Sequence, residues 1–460
     1  MSPGPFSQVT LVTVAERLRD GSTNPVELAE QALAAAEASQ PTINAFVTID
    51  ADGALAAART ARDELAHGRD RGPLHGVPVA VKDLIDTAGL VTTMGSRHFA
   101  DHVPSQDAPV VRRLRDAGAV IVGKTTTHQF AYGPTGDRAA NGPCANPHDP
   151  SRMAGGSSAG SGAAVAAGVV PLAVGSDTGG SVRIPAALCG VVGIRPSMGL
   201  IPTDGVFPLS WTFDTVGPLA SDVEGTVIGW AVLAGVSSPI AAPTDPATLR
   251  LGVPSDEWFD RLDETVRRGR DALVQALTDR GAKISTVVMP EAAELRNLYV
   301  TIQSVEAVAI HRERMDAAPE LYDPEVLQRL QAAARVPAHE YAVALRRLGD
   351  LRATAAERLV GLDAQLLPTT PIVAPPLNAR DIDASSGWTS PREALLAYCA
   401  GWGVLDLPAV TIPAPTGPGD LPVGIQLVGR PGDDPGLLTV ARAVETVVAA
   451  VHRERSPLPD

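Results

Sequence analysis

The sequence predicts an α/β fold in a single domain, and three observations support this. Apolar runs with strand character alternate with segments of helical periodicity along most of the chain. Residues 71–124 follow the strand–helix–strand order of a β-α-β unit. Hydrophobic residues make up 45% and charged residues 20% of the 460 residues, so the chain can bury a large core. Length alone would suggest about three domains, but large α/β enzymes often form one compact unit, and we expect one domain over residues 1–460.

Residues 1–70 are predicted to form a helical scaffold. Val14 and Leu18 recur at helical spacing, and the run Ser22-Thr23-Asn24-Pro25 supplies the cap and start signals of a second helix. A short strand is predicted over 44–47, and an alanine-rich helix over 52–67. We assign no catalytic residue to this region.

Residues 71–124 are predicted to contain strand 77–82, helix 107–117 and strand 119–123. The first strand is an apolar run that ends on Lys82. We expect this lysine to be partly buried, and desolvation favours its neutral, basic form.

The stretch Gly118–Thr125 matches the phosphate-loop pattern G-x-x-x-x-G-K-T letter for letter. A phosphate loop needs a flexible turn between its glycines and a helix after them. This stretch has four apolar, β-prone residues between the glycines and a Gly/Pro-rich loop soon after. We therefore interpret it as a strand with a chance match.

Residues 125–152 are rich in Gly, Pro, Asn and Asp and are predicted to form a long loop, which in a compact enzyme is often functional. His128 and His148 lie in it. A lone loop histidine is more often solvated than catalytic, so we give neither a role.

Two clusters of glycine and serine lie within residues 153–198, at Gly155–Gly162 and Asp177–Ser181, with helix 158–168 and strand 170–175 predicted between them. Glycines before a serine let backbone N–H groups approach a substrate closely, and several such groups can stabilise an oxyanion. Ser181 is therefore a possible nucleophile. We interpret Asp177 and Arg183 as an ion pair that braces the glycine turn.

The remaining segments continue the alternation of strands and helices. We predict a strand and turn over 190–201, a helix over 221–235 and a linker over 237–249. Further strands are predicted over 249–253, 283–289, 364–367, 409–412 and 423–428. Further helices are predicted over 262–280 and 435–452, with a mostly helical stretch over 291–360 that breaks at 334–337.

Composition excludes several classes of protein. The net charge of −14 argues against nucleic acid as a main partner, because phosphate binding needs a basic face. Three scattered cysteines indicate neither a disulfide framework nor a zinc site and fit a reducing compartment. The first residues lack the pattern of a secretory signal, and no uninterrupted apolar stretch is long enough for a membrane span. We therefore expect a cytoplasmic location.

The strand ending at Lys82, the Gly-Gly-Ser-Ser run at 155–158 and the Asp-Thr-Gly-Gly-Ser run at 177–181 together closely resemble the amidase signature family of serine hydrolases. The resemblance extends from Leu11 to about Val447 and is weakest between about 250 and 345. It implies a compact fold with a central twisted mixed β-sheet covered by helices on both faces.

Within that fold, the resemblance implies a catalytic core over 71–235, a variable and mostly helical specificity region over 250–360, and a C-terminal sheet and helix over 361–460. Residues 210–219 resemble the loop that follows the core in the family, which implies a loop there. The run Leu-Pro-Val-Gly-Ile-Gln-Leu-Val-Gly at 421–429 also resembles a family segment. One departure is Gly403–Pro408, where relatives commonly have an Asn-x-x-Gly-x-Pro turn.

The family's roles, carried over to matching positions, make Ser181 the nucleophile, Ser157 the bridging serine and Lys82 the base. Serine is a weak nucleophile that needs an adjacent base. Neutral Lys82 would take a proton from Ser157, which would take one from Ser181. The implied reaction is hydrolysis of a small-molecule amide, with no metal or cofactor. Backbone N–H groups at Thr178, Gly179, Gly180 and Ser181 would form the oxyanion hole, and the substrate pocket would include Phe130, Ala131, Tyr132, Gly133 and Thr135.

Several alternatives stay open. The chain could be the glutaminase component of a tRNA-dependent amidotransferase, although such relatives usually carry an M-D-E-F-A-M-G-type segment where this chain has Thr127–Gly133. It could hydrolyse carbamates, ureido compounds or esters, or it could be a binding protein with a degenerate site. Ser158 fits the G-x-S-x-G elbow of α/β-hydrolases, but turn-forming residues precede it instead of a strand. A homodimer is a general expectation for soluble enzymes.

Overall fold

The computed structural model describes residues 3–7, 9–237 and 242–455, and one mixed sheet of eleven strands runs through this part of the chain. The strands are β1 Phe46–Ile49, β2 Pro78–Lys82, β3 Val120–Thr125, β4 Leu172–Asp177, β5 Val192–Arg195, β6 Thr215–Ala220, β7 Arg250–Pro254, β8 Lys283–Val287, β9 Ala364–Pro368, β10 Ala409–Pro413 and β11 Gly424–Val428.

Fourteen α-helices within the described residues cover both faces of the sheet. They are α1 Leu11–Asp20, α2 Pro25–Ile43, α3 Ala51–Ala66, α4 Pro109–Asp116, α5 Ala159–Ala166, α6 Arg183–Cys189, α7 Val223–Ala234, α8 Glu264–Asp279, α9 Ala292–Ala317, α10 Pro324–Ala333, α11 Ala338–Ala353, α12 Pro391–Ala397, α13 Ala400–Val404 and α14 Asp434–Arg455. The predicted single-domain α/β fold with a mixed, helix-covered sheet is confirmed.

The strand order is β1-β3-β2-β4-β6-β5-β10-β11-β9-β7-β8. Strand β2 runs parallel to β3 and β4, and β7 runs parallel to β8 and β9, whereas the other pairs are antiparallel. Parallel neighbours need crossover connections, and helices α4, α5 and α8 lie in three of them. The carboxyl ends of β2, β3 and β4 therefore meet at one edge of the sheet.

The predicted start of α2 is confirmed in its details. The side chain of Asn24 accepts hydrogen bonds from the N–H groups of Val26 at 3.0 Å and Glu27 at 3.1 Å, and Pro25 occupies the first helical position. The helix ends at Asn44, which has a left-handed backbone conformation.

The stretch that matched the phosphate-loop pattern is strand β3, as predicted. Its residues are all buried, and Lys124 donates hydrogen bonds to the carbonyl of Ile85 and, at 2.9 Å, to Thr87 Oγ1. Burial lowers the pKa of this lysine to about 8. The amine therefore braces the turn after β2.

Some elements differ from the prediction. Residues 210–219 were expected to form a loop, but they include most of strand β6. This strand, which begins at Thr215, pairs with β4 although it contains a Gly-Pro pair. Helices α6, α12 and α13 were not predicted. They are short, and α6 begins without a side-chain cap. Strand β4 extends two residues beyond the predicted end at 175, which places Ser176 and Asp177 on the strand.

Among the described helices, none has both the length and the apolar character needed to cross a bilayer.

Candidate active site

Lys82 is the last residue of β2, and its side chain is fully buried. The ammonium nitrogen lies 2.7 Å from Ser157 Oγ and 2.8 Å from Ser176 Oγ. Ser176 reaches it because β4 runs parallel to β2, so that both strands end at the same edge. Two hydroxyl groups therefore surround one lysine nitrogen in a buried environment.

Burial lowers the pKa of Lys82 to about 7. The negative charges of Asp177 and Asp214 oppose this shift. Asp177, however, pairs with two arginines, and Asp214 accepts a hydrogen bond from Thr178. Desolvation dominates, so a large fraction of this lysine is neutral near pH 7.

The two glycine–serine clusters are in direct contact. The N–H of Ser158 donates to the carbonyl of Ser181 at 3.2 Å, and the N–H of His128 donates to the carbonyl of Ser157 at 3.0 Å. The Gly156–Ser157 peptide is cis. Ser157 is fully buried, whereas 6% of Ser181 remains exposed. The structure thus brings Lys82, Ser157 and Ser181 into one site.

Asp177 organises the turn that carries Ser181. Its carboxylate accepts hydrogen bonds from Gly180 N at 2.8 Å and Val182 N at 3.2 Å, and from the Arg183 guanidinium at 3.0 and 3.1 Å. Burial alone would raise the pKa of Asp177, but Arg183 and Arg195 hold it well below the ordinary range. The predicted ion pair with Arg183 is present with both side chains fully buried.

Arg195, which the sequence analysis did not select, is a second cation on this turn. Its guanidinium donates to the carbonyls of Asp177 at 2.7 Å, Thr178 at 3.2 Å and Phe213 at 2.9 Å. It comes from β5, far from the turn in sequence, and no local pattern links the two.

The expected oxyanion hole needs one correction. The N–H of Gly180 donates to Asp177 Oδ1 and is therefore not available to a substrate. Within the described part of the chain, the N–H groups of Thr178, Gly179 and Ser181 have no hydrogen-bond acceptor. These three remain as candidate oxyanion donors.

The side chain of Tyr299 leaves no room for any residue larger than glycine at position 179. A Cβ atom at this position would lie 2.4 Å from the hydroxyl oxygen of Tyr299, a buried residue of α9. The phenol ring thus covers the backbone beside the nucleophile. Tyr299 was not identified from the sequence, because it lies in the region where the family resemblance is weakest.

A cavity of about 110 Å³ lies beside this turn. Trp211, 55% exposed, is the most exposed aromatic side chain in its lining. The cavity is lined by Ala131, Ser176, Thr178, Thr203, Val206, Phe207, Pro208, Leu209, Trp211, Asp214 and Thr215. Its walls are mainly apolar, and Ser176 connects it to Lys82.

Of the five predicted pocket residues, Ala131 lines this cavity. Phe130 and Tyr132 are buried in the adjoining apolar cluster, and Thr135 donates to Asp137 Oδ1 at 2.6 Å. Gly133 lies against the ring of His128, where a Cβ atom would be 2.2 Å from Nε2. The loop therefore surrounds the site, but most of the selected side chains do not face this cavity.

Asp214 is an acidic group in the cavity wall that the sequence analysis missed. Thr178 Oγ1 donates to it at 2.6 Å, and the N–H groups of Leu209 and Ser210 donate at 2.8 and 3.0 Å. Burial raises its pKa to about 6 despite these hydrogen bonds. The carboxylate thus links the cavity to the turn that carries Ser181.

His128 is buried, so the general expectation of a solvated loop histidine was wrong for it. Burial first, and nearby arginines second, hold its pKa well below the ordinary value, which keeps the ring neutral. His148 is exposed, in line with the expectation of a solvated loop histidine, and its Nε2 lies 2.9 Å from the carbonyl of Cys189.

Ser158 is the nucleophile of the α/β-hydrolase alternative, and its hydroxyl forms hydrogen bonds with the backbone of Ser176. Its hydroxyl donates to the carbonyl of Ser176 and accepts from the N–H of the same residue, each at 3.2 Å. It is fully buried at the start of α5, and the residues directly before it are not in a strand. The nucleophile-elbow geometry is therefore absent at this position.

Comparisons with known proteins agree with this geometry. A family model described as Amidase matches residues 27–438. An amidase from Pseudomonas putida is 37% identical over 98% of this chain and 98% of its own length. The A-type subunit of a glutamyl-tRNA(Gln) amidotransferase from Chloroflexus aurantiacus is 35% identical over 95% of this chain and 96% of its own length.

A crystal structure of an amidase superposes with a TM-score of 0.90 at 36% identity, covering 96% of this chain and all of the other. Similarity of this extent, at both the sequence and the structural level, shows the family. The chain therefore belongs to the amidase family of amide-hydrolysing enzymes.

Proposed function

We propose that this chain hydrolyses a carboxylic amide through an acyl-enzyme on Ser181. In the first step Ser181 Oγ bonds to the carbonyl carbon. Its proton passes to Ser157 Oγ, and the proton of Ser157 passes to the lone pair of neutral Lys82. The distance of 2.7 Å between Lys82 Nζ and Ser157 Oγ supports this relay.

Breakdown of the tetrahedral intermediate needs both charge stabilisation and a proton. The free N–H groups of Thr178, Gly179 and Ser181 are the proposed donors to the oxyanion. The relay then runs in reverse, so that the proton on Lys82 reaches the leaving nitrogen through Ser157. A water molecule then attacks the acyl-enzyme, and its proton passes through Ser157 to Lys82. When the acid is released, the proton returns through Ser157 to Ser181 Oγ.

Ser176 and Asp177 would position these groups without reacting themselves. A neutral amine has two N–H donors and one lone pair, so an N–H bond to Ser176 directs the lone pair of Lys82 towards Ser157. Asp177 would hold the turn on which Ser181 lies.

The buried Lys82 with its lowered pKa and its contact with Ser157 is the observation that carries this proposal. The test is release of ammonia or amine by the purified chain from acetamide, benzamide, anilides, carbamates and esters. Ser181→Ala and Lys82→Ala should abolish turnover, whereas Ser158→Ala should retain it. Near-full activity in Ser181→Ala would refute the assignment.

A second candidate function is the glutaminase step of an amidotransferase, which the similarity to the amidotransferase relatives favours. Purified chain would then release ammonia only from glutamine, or would need a partner protein. Turnover of a non-glutamine amide by the chain alone, lost in Ser181→Ala, would exclude a requirement for partners.

A further inference from the structure

One segment of the chain forms most of the cavity beside the turn that carries Ser181. Seven of the eleven lining residues lie within 206–215, so this stretch, which we call the wall segment, shapes the cavity. Two of the remaining lining residues are Ser176, which lies 2.8 Å from Lys82 Nζ, and Thr178, a candidate oxyanion donor. A substrate group in this cavity therefore lies next to the reacting amide.

The wall segment presents mainly apolar side chains to the cavity. Those in the lining are Val206, Phe207, Pro208, Leu209 and Trp211. The ring of Phe207 is held by aromatic neighbours, with its centre 5.3 Å from that of Phe130 and 5.6 Å from that of His311. Trp211 is 55% exposed, so its indole is open to a ligand at the mouth of the cavity.

A buried carboxylate on α9 holds the residues on either side of Trp211. Glu306, 1% exposed, accepts hydrogen bonds from the hydroxyl of Ser210, from the hydroxyl of Thr212 and, at 3.2 Å, from the N–H of Thr212. A fourth hydrogen bond comes from the hydroxyl of Tyr341 at 3.0 Å. A buried carboxylate is costly unless it is hydrogen-bonded, and here uncharged donors satisfy it. The arrangement fixes the backbone that carries the indole.

Asp214 holds the same stretch from the cavity side. Its carboxylate accepts hydrogen bonds from the N–H groups of Leu209 at 2.8 Å and Ser210 at 3.0 Å. The carbonyl of Ser210 in turn accepts from the N–H groups of Phe213 at 3.0 Å and Asp214 at 2.9 Å. This turn is therefore held from two sides. Trp211 needs little further ordering to bind a ligand, which lowers the entropic cost of binding.

The volume and the charge of the cavity limit its occupant. An engineered apolar cavity of about 150 Å³ binds benzene. This cavity of about 110 Å³ opens at Trp211, so it accommodates a group no larger than a single ring. The charged side chain in its lining is Asp214, whose carboxylate would repel an anionic group. An uncharged apolar group of ring size satisfies both limits.

We propose that Trp211 determines specificity by packing against an uncharged apolar ring of the substrate, and that Glu306 is the positioning residue that holds Trp211 there. The substrate class is an amide that carries this ring on the acyl or on the amine side of the bond that is cleaved. This inference rests on the proposed function, because it assumes that the carbonyl of the amide lies at Ser181.

The test compares substrates with and without a ring: benzamide with acetamide for the acyl side, and acetanilide with N-methylacetamide for the amine side. The readout is the fold loss in kcat/KM that Trp211→Ala causes on each substrate, because intrinsic reactivity cancels when variant and wild type hydrolyse the same compound. We expect a loss of about tenfold or more on at least one ring-bearing substrate, and below about twofold on its ringless partner. Trp211→Phe, which keeps an aromatic face, should retain most of the activity.

Val360→Ala is the control, because it shortens an exposed apolar side chain that is not part of the lining. It should leave kcat/KM for all four substrates unchanged. The pair that shows the larger loss identifies the side of the amide that carries the ring. Equal losses on both members of both pairs, or no loss on any substrate, would overturn the role of Trp211.

A double-mutant cycle tests the positioning role of Glu306. Glu306→Gln keeps the size of the side chain and should raise KM for the ring-bearing substrate in the wild-type background but not in Trp211→Ala. Tyr341→Phe removes one of the four hydrogen bonds and should cause a smaller change in the same direction, which provides a second variant if Glu306→Gln does not fold. Glu313→Gln, with the same change of charge at an exposed position of α9, should change neither parameter. An equal effect of Glu306→Gln, or of Tyr341→Phe in its place, in both backgrounds would indicate a merely structural role.

Binding separates this inference from the proposed function. Calorimetry with Ser181→Ala measures the affinity for the four amides without turnover. Tighter binding of a ring-bearing amide, lost in Ser181→Ala/Trp211→Ala, would support the subsite even if the wild type hydrolysed none of them. Hydrolysis that is lost in Ser181→Ala, together with equal binding within both pairs, would retain the proposed function and overturn the subsite.

Discussion

The ionisation of Lys82 makes the pH dependence of the reaction the sharpest test of the proposed relay. Only the neutral amine can take a proton, so kcat/KM should rise with pH as Lys82 deprotonates. With a pKa of about 7, the neutral fraction is about one tenth at pH 6, about half at pH 7 and about nine tenths at pH 8. A lysine at the ordinary value of 10.5 would be neutral in only about one molecule in 3000 at pH 7.

Asp214→Asn tests the cause of this value. The charge of Asp214 raises the pKa of Lys82, so its removal should move the rise in kcat/KM to lower pH. Asp101→Asn, an exposed position with the same change of charge, should leave the profile in place. The assay is kcat/KM for a neutral amide from pH 5 to about pH 10.5, because this parameter reports groups of the free enzyme.

Three results would refute the reasoning. A flat profile between pH 6 and pH 8 would mean that Lys82 does not titrate there or is not the base. A shift to higher pH in Asp214→Asn would mean that the charge of Asp214 does not favour the cationic form of Lys82. A profile that rises only above pH 9 would instead mean that burial does not lower this pKa.

Three further predictions follow from the turn around Ser181. Asp177→Asn leaves Arg183 and Arg195 without their buried carboxylate and should destabilise the fold by about 3–5 kcal/mol in urea denaturation; a loss below about 1 kcal/mol would contradict this. Gly179→Ala places a Cβ atom against the Tyr299 phenol and should lower kcat/KM by about 100-fold. In a Tyr299→Ala background the same substitution should lower kcat/KM by less, and equal losses in both backgrounds would exclude that contact as the cause. Ser158→Ala removes two backbone hydrogen bonds and should cost about 1–3 kcal/mol of stability, while acyl-enzyme formation in rapid-quench experiments persists; loss of the acyl-enzyme at full stability would support the nucleophile-elbow alternative.

Local patterns predicted much of the architecture. The cap at Asn24, the apolar strands β2 and β3 and the ion pair of Asp177 with Arg183 all depend on short-range chemistry or strong periodicity, and each is present. Strand β6 was missed because it contains a Gly-Pro pair and forms through pairing with β4 and β5. Helix α6 was missed because it has only seven residues, includes a proline and begins without a side-chain cap.

The site was predicted unevenly for a similar reason. Lys82, Ser157 and Ser181 lie in recognisable segments, so their grouping could be inferred from the sequence. Ser176 was missed because strand β4 extends further than its apolar run. Asp214 was missed because the resemblance of 210–219 to a family loop assigned no role to its residues. The role of Gly180 was wrong in one respect, since hydrogen bonding to Asp177 takes its N–H.

The sequence by itself determined the fold class, the family resemblance and the three residues proposed for catalysis, because these are encoded in periodicity and contiguous motifs. Only the tertiary structure decided the surroundings of those residues. The pKa of Lys82 depends on burial by elements distant in the chain. The cover of Tyr299 over Gly179 likewise arises from helix α9. Desolvation and charge act through space, so residues far apart in sequence set the chemistry of a short motif.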